Sequence, residues 1–168
     1  ESTHIYTAGD VAEYFRNPSS QFWQEERAND PRQKYRLLDS PLANYFIAAG
    51  LWVAGEVPST VDWNWGKNWQ QNSTAGALPT QRVLLASRAA VAILFPFSLV
   101  FLFLAARRVA NEFTAWTSVL LLAGNALVLL HTRRAMAESV LLFFSILTIW
   151  SLVCLEKERW PSAIPAAL

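Results

Sequence analysis

The chain has 168 residues, 53% of them hydrophobic and 16% charged, with a net charge of +1 and a mean hydropathy of +0.20. A soluble domain runs nearer roughly 45–50% apolar and about a quarter charged. The composition therefore excludes a disordered chain and a collagen-like repeat, and the single cysteine, Cys154, excludes a disulfide scaffold. The near-balanced charge leaves no electrostatic footprint for nucleic acid.

The charge is unevenly spread. Residues 1–88 hold 17 of the 27 charged side chains, and the remainder of the chain holds three long apolar runs. The chain opens on polar residues (Glu1, Ser2, Thr3, His4), with no secretory signal and no initiator Met, and so reads as a window cut from something longer. Ile5–Phe15 is predicted as a short helix with Ile5, Ala8, Ala12 and Phe15 on one face, stopped by Pro18 and the Ser19/Ser20 pair. Gln24–Arg36 is polar and loop-like. Pro41–Ala54 is predicted as a nearly all-apolar helix, with Pro41 in its first turn and Gly55 at its end. Its 14 residues are too few to span a membrane comfortably, so it is expected at the interface. Trp63, Trp65 and Trp69 crowd the next loop, either as an aromatic belt at headgroup depth or as an acceptor-binding rim. Asn72-Ser73-Thr74 is a formal glycosylation sequon.

Three membrane spans follow. Ala89–Ala106 and Phe113–Leu130 are 18 uncharged residues each, the first interrupted by Pro96 and Ser98 and extended by Val83–Ser87, the second carrying Gly124 and Asn125 in mid-span. Ser139–Leu155 adds 17 more. A hydrocarbon core of about 30 Å needs about 20 helical residues, with about 17 as the lower limit. The expected fold is all-α: an outer region over residues 1–82 with short interfacial helices, three spans over 83–160, and the start of a further apolar segment at 161–168. Arg107, Arg108, Lys157 and Arg159 share one side, and Arg133 and Arg134 share the other with the N-terminal region. The excess of positive charge places Arg107 and Lys157 in the cytoplasm of a plasma-membrane protein, with residues 1–82 outside.

Few residues are candidates for chemistry. Asp39 stands just before the interfacial helix. It can favour the helix N-terminus, or act at the mouth of a membrane site as base, metal ligand or substrate anchor. His131-Thr132-Arg133-Arg134 puts two arginines against the positive-inside trend. Anionic headgroups or a bound phosphate would account for them, since the guanidinium fork matches phosphate oxygens. Glu138 opens the third span. A carboxylate at the edge of hydrocarbon is a functional candidate, a dipole-favoured first-turn acid, or an i,i+4 partner of Arg134. Glu1 has no upstream context, and a lone His4 is weak evidence for a metal. No Gly-rich phosphate loop, nucleophile elbow or His-Glu-x-x-His zinc motif occurs.

The order of these parts resembles the lipid-carrier-dependent glycosyltransferases of the GT-C superfamily, in the protein O-mannosyltransferase and aminoarabinose transferase branches. Glu1-Ser2-Thr3-His4-Ile5-Tyr6 looks like the start of the outer loop at the Glu of an Asp-Glu pair. Leu38-Asp39-Ser40-Pro41-Leu42-Ala43-Asn44-Tyr45-Phe46 is similar to the acid-x-Pro-Leu motif before the interfacial helix, although Ser40 stands where many members carry a basic or bulkier residue. The Arg82–Arg88 segment and His131 through Phe144 fit the later parts. The resemblance implies a polyprenyl-phosphate sugar donor, and a protein, glycolipid or glycan acceptor on the outer face. It implies Glu1, Asp39 and Glu138 as catalytic acids, Arg133 and Arg134 at the donor phosphate, and a divalent metal ion of unknown identity at Asp39. With the Asp of the pair and the further spans absent, the piece alone is expected to be inactive. A membrane transporter or a non-enzymatic membrane scaffold is the alternative, and the uncharged spans weigh against transport.

Overall fold

The computed structural model describes residues 1–30, 33–35 and 41–159. Asp39 lies outside the described residues, as does the expected apolar start at 161–168. Among the described residues every regular element is helical. The α-helices are α1 (Ser2–Thr7), α2 (Gly9–Arg16), α3 (Pro41–Ala54), α4 (Trp69–Thr74), α5 (Gln81–Ala92), α6 (Leu94–Val109), α7 (Glu112–Ala123), α8 (Ala126–Thr132) and α9 (Glu138–Arg159), with 3₁₀ turns at Pro18–Gln21 and Glu25–Arg27.

Two compact units partition the chain: residues 1–92 with 132–137, and residues 93–131 with 138–168. In the first, α3 lies along α5, and α1 and α2 pack on α3. Ala43, Ile47 and Leu51 repeat every four residues on α3 and are buried, as are Val83, Ser87 and Val91 on α5. Two such ridges can interdigitate. Gly50 lets the backbones approach: a Cβ there would overlap the Ala90 methyl and come within 2.9 Å of the Ala86 carbonyl. Small residues let two helix backbones come this close because no bulky side chain stands between them. The Thr7 hydroxyl donates to Asn44 Oδ1 at 3.1 Å and ties α1 to α3.

The expected helix over Ile5–Phe15 is two helices meeting at Ala8. Gly9 contributes poor helix propensity at the break, and the Thr7 hydroxyl lies within hydrogen-bonding distance of the Thr3 and His4 carbonyls. Helix α3 has the predicted bounds, and Gly55 beyond it takes φ 68°, the left-handed closure glycine favours.

In the second unit α6 packs against α7 and α9. Phe101 of α6 meets Phe143 and Trp150 of α9 at centroid distances of 6.0 and 5.1 Å, and Phe103 meets Trp116 of α7 at 4.9 Å. Two helical stretches are long and apolar enough to cross a membrane, Gln81–Val109 and Glu138–Glu156. The first runs beyond the expected Ala89–Ala106. Pro96 lacks the N–H that would bond to the Ala92 carbonyl, which accounts for the one-residue interruption at Ile93. The second expected span is broken. α7 and α8 are bent by 65° at Gly124-Asn125, and the pair makes a third span only if taken together. Asn125 Oδ1 accepts the N–H groups of Leu127 and Val128 at 3.0 and 3.1 Å, capping α8 as a new helix.

Candidate functional site

Glu1 is the N-cap residue of α1, and its backbone carbonyl accepts the Ile5 N–H at 3.0 Å. Its side chain reaches α5. Arg88 donates from Nε to Glu1 Oε1 at 3.1 Å and from Nη2 to Oε2 at 2.7 Å, a two-pronged pair. The buried Ala135, in the bend between α8 and α9, donates its backbone N–H to the same Oε1 at 3.0 Å. Burial alone would raise the Glu1 pKa. The Arg88 hydrogen bond, the Ala135 N–H and the Arg88 charge outweigh it and hold the carboxyl below the usual glutamate value. Glu1 is therefore a fixed anion with three N–H donors directed at it.

A cleft of about 490 Å³ opens beside this pair, lined by Glu1, Ser2, Thr3, Arg88, Arg134 and Met136, with Trp63 and Trp65 completing its wall. The indoles of Trp63 and Trp65 stand edge to face, 6.4 Å apart. Their loop is held from both ends. The Trp63 N–H donates to Asp62 Oδ1 at 2.7 Å, while Asp62 Oδ2 accepts the Tyr35 hydroxyl at 2.8 Å. The side chain of Asn72 accepts the Asn64 N–H at 2.8 Å and donates to the carbonyls of Asn64, Lys67 and Asn68 at 3.0–3.2 Å. Asn72 is thus buried and fully engaged, so the sequon at Asn72 presents no free amide for a glycan.

The structure brings Glu1 and Arg134 into one cleft. Arg134 is exposed and, among the described residues, has no carboxylate partner. Arg133 is its exposed neighbour in the same bend. Glu138 does not pair with Arg134, because residues 133–137 are non-helical and the i,i+4 relationship never forms. Glu138 begins α9 in the second unit, where Oε1 lies 3.7 Å from His131 Nδ1, and its Oε2 has no hydrogen-bond partner among the described residues. Among the described residues no cluster of three His, Cys, Asp or Glu could hold a metal ion. The metal expectation rested on Asp39, which lies outside those residues.

Sequence reasoning missed Arg88 as a site residue and treated it as an interface marker. The available signal was its solitude: it is the one charge between Val83 and Ala106. A charge against so long an apolar run needs a partner.

Residues 15–164 match the family model described as dolichyl-phosphate-mannose-protein mannosyltransferase. The chain belongs to that family. No curated protein and no solved structure matches it. Membership makes it part of an integral-membrane glycosyltransferase, a mannosyltransferase that uses a polyprenyl-phosphate sugar donor. Its apolar helices agree with that assignment. In mannosyltransferase terms, the cleft combines a paired anion, an arginine with no carboxylate partner among the described residues, and two aromatic faces.

Proposed function

We propose that the Glu1–Arg88–Arg134 cleft is where the mannosyl group leaves its polyprenyl phosphate for an acceptor hydroxyl, on the outer face of the plasma membrane with residues 1–82 outside. The C1–O bond to phosphate breaks, the C1–O bond to the acceptor forms, the acceptor proton passes to a carboxylate, and the polyprenyl phosphate departs. Arg134, with Arg133 beside it, offsets the charge that develops on the departing phosphate. Glu1 serves the acidic site as a positioning anion. It holds Arg88 and the Ala135 backbone in place, and Ala135 adjoins Arg134. Asp39 is our candidate for the base, and for any divalent ion. Glu138 is the acid that heads the span after the arginine bend, and its second oxygen is buried with no hydrogen-bond partner among the described residues. The indoles of Trp63 and Trp65 offer apolar faces to a sugar ring or acceptor and reduce water access.

One observation carries this reading: an arginine without a carboxylate partner among the described residues faces the cleft that holds the locked glutamate. The test is transfer of labelled mannose from polyprenyl-phosphate mannose to protein by the membrane-embedded protein, with GDP-mannose as the comparison donor. Transfer from the lipid donor alone supports the proposal. Equal transfer from GDP-mannose in carrier-free membranes contradicts it.

A further inference from the structure

The last turn of α6 carries Arg107 and Arg108, adjacent and both exposed. They line a second cleft, of about 470 Å³, together with Leu104 one turn earlier and Trp150 of α9. Both helices belong to the same unit and pack along each other. Among the described residues neither arginine has a carboxylate partner, and Arg108 Nη1 lies 3.4 Å from the Cys154 sulfur. An excess of positive charge on one side of a membrane explains arginines at the end of a span. It does not explain two of them sharing a concave surface with a tryptophan from another helix.

The charge balance favours an anion. The C-terminal carbonyls of α6 carry about half a negative charge, which two guanidinium groups more than offset. The position favours a lipid. The uncharged stretch 89–106 ends directly before Arg107, so the cleft sits at the edge of hydrocarbon. Leu104, 38% exposed, and Trp150 give it an apolar floor beneath the cations. Indole rings and arginines together suit the depth at which a phosphate headgroup joins its glycerol and acyl chains.

We infer that Arg107, Arg108, Leu104 and Trp150 form a binding site for the phosphate headgroup of an anionic membrane phospholipid. The arginines fork the phosphate oxygens, and Leu104 and Trp150 pack along the glycerol and upper acyl chain. The site requires only that the chain is embedded in a membrane, and it is independent of the glycosyl-transfer reading.

The experiment is native mass spectrometry of the protein released from nanodiscs of phosphatidylglycerol or of phosphatidylcholine, alongside maleimide labelling of the Cys154 peptide in each. Phosphatidylglycerol is expected to stay bound and to slow Cys154 labelling, and phosphatidylcholine to do neither. An arginine near an anionic surface is worth about a five-fold change, so Arg107→Gln/Arg108→Gln should weaken phosphatidylglycerol retention about 25-fold. Both side chains are exposed, so unchanged helicity of the variant shows that the loss is local. The inference is overturned by equal retention of the two lipids, or by a double variant that retains phosphatidylglycerol like the parent. Full displacement by excess inorganic phosphate also overturns it, since that marks a free-anion site.

Discussion

Arg88 grips both carboxylate oxygens of Glu1, at 3.1 and 2.7 Å, across 87 positions of the chain. A lysine is a point cation and cannot reproduce the fork. Arg88→Lys should therefore release one oxygen of Glu1, misplace the Ala135 bend and reduce transfer by roughly 100-fold, the scale expected for a misaligned site. The Arg88 side chain is 44% exposed, so its contribution to stability is only about 1 kcal/mol, and thermal unfolding in detergent should move by a few degrees at most. Combined with Glu1→Gln, the loss should be far from additive. Full activity in Arg88→Lys would remove the pair from the mechanism.

The same pair sets a pH response. The folded-state pKa of Glu1 lies below its unfolded value, so the stabilisation is complete above the ordinary glutamate pKa of about 4.3 and is lost as pH falls through the lower folded value. At neutral pH, small pH changes should leave the clamp intact. Comparing acid unfolding of the parent and Glu1→Gln checks this: the parent's advantage should be present at pH 7 and shrink only below about pH 4. An advantage that disappeared between pH 8 and 6 would point to a different titrating group.

Asn72 holds the tryptophan loop through one accepted and three donated hydrogen bonds. Asn72→Ala should strand buried backbone groups, at about 2–3 kcal/mol of local stability. Hydrogen exchange of residues 64–68 should rise about 30-fold or more, with weaker transfer as Trp63 and Trp65 lose their setting. Peptide mass spectrometry of the parent protein should find Asn72 without a glycan, and a glycosylated Asn72 would contradict the buried placement.

At Gly50 the backbone of α3 comes close to Ala86 and Ala90 of α5. Gly50→Ala gains helix propensity of about 1 kcal/mol, yet its methyl collides with Ala90. Overpacking costs about 1–3 kcal/mol, so the net expectation is a lower melting temperature in detergent. A higher one would show that the helices separate without penalty.

Much of the fold was legible because hydrocarbon imposes length and purity on its helices. Pro41–Ala54 emerged with its predicted bounds because Pro41 and Gly55 mark both ends chemically. The second span did not, although Gly124 and Asn125 were in plain view: hydropathy is blind to an asparagine that caps a new helix. At the candidate site, Arg134 was named from its residue type and position and Glu1 only from the family resemblance, and the structure places them in one cleft. Arg88 was invisible as a partner because its contact is long-range, and no local spacing encodes a bond across 87 residues. The expected Arg134–Glu138 pair failed for the opposite reason. Helical spacing was assumed across residues 133–137, which are not helical.

The most direct measurement is the steady-state kinetics of Arg134→Ala in the full-length enzyme, with polyprenyl-phosphate mannose varied. Hydrogen bonds to a charged group are worth about 1.5–3 kcal/mol, so kcat/KM for the lipid donor should fall roughly 10- to 100-fold, with Arg134→Lys recovering part of it and the acceptor KM unchanged. Donor kinetics indistinguishable from the parent would contradict the placement of the donor phosphate in this cleft.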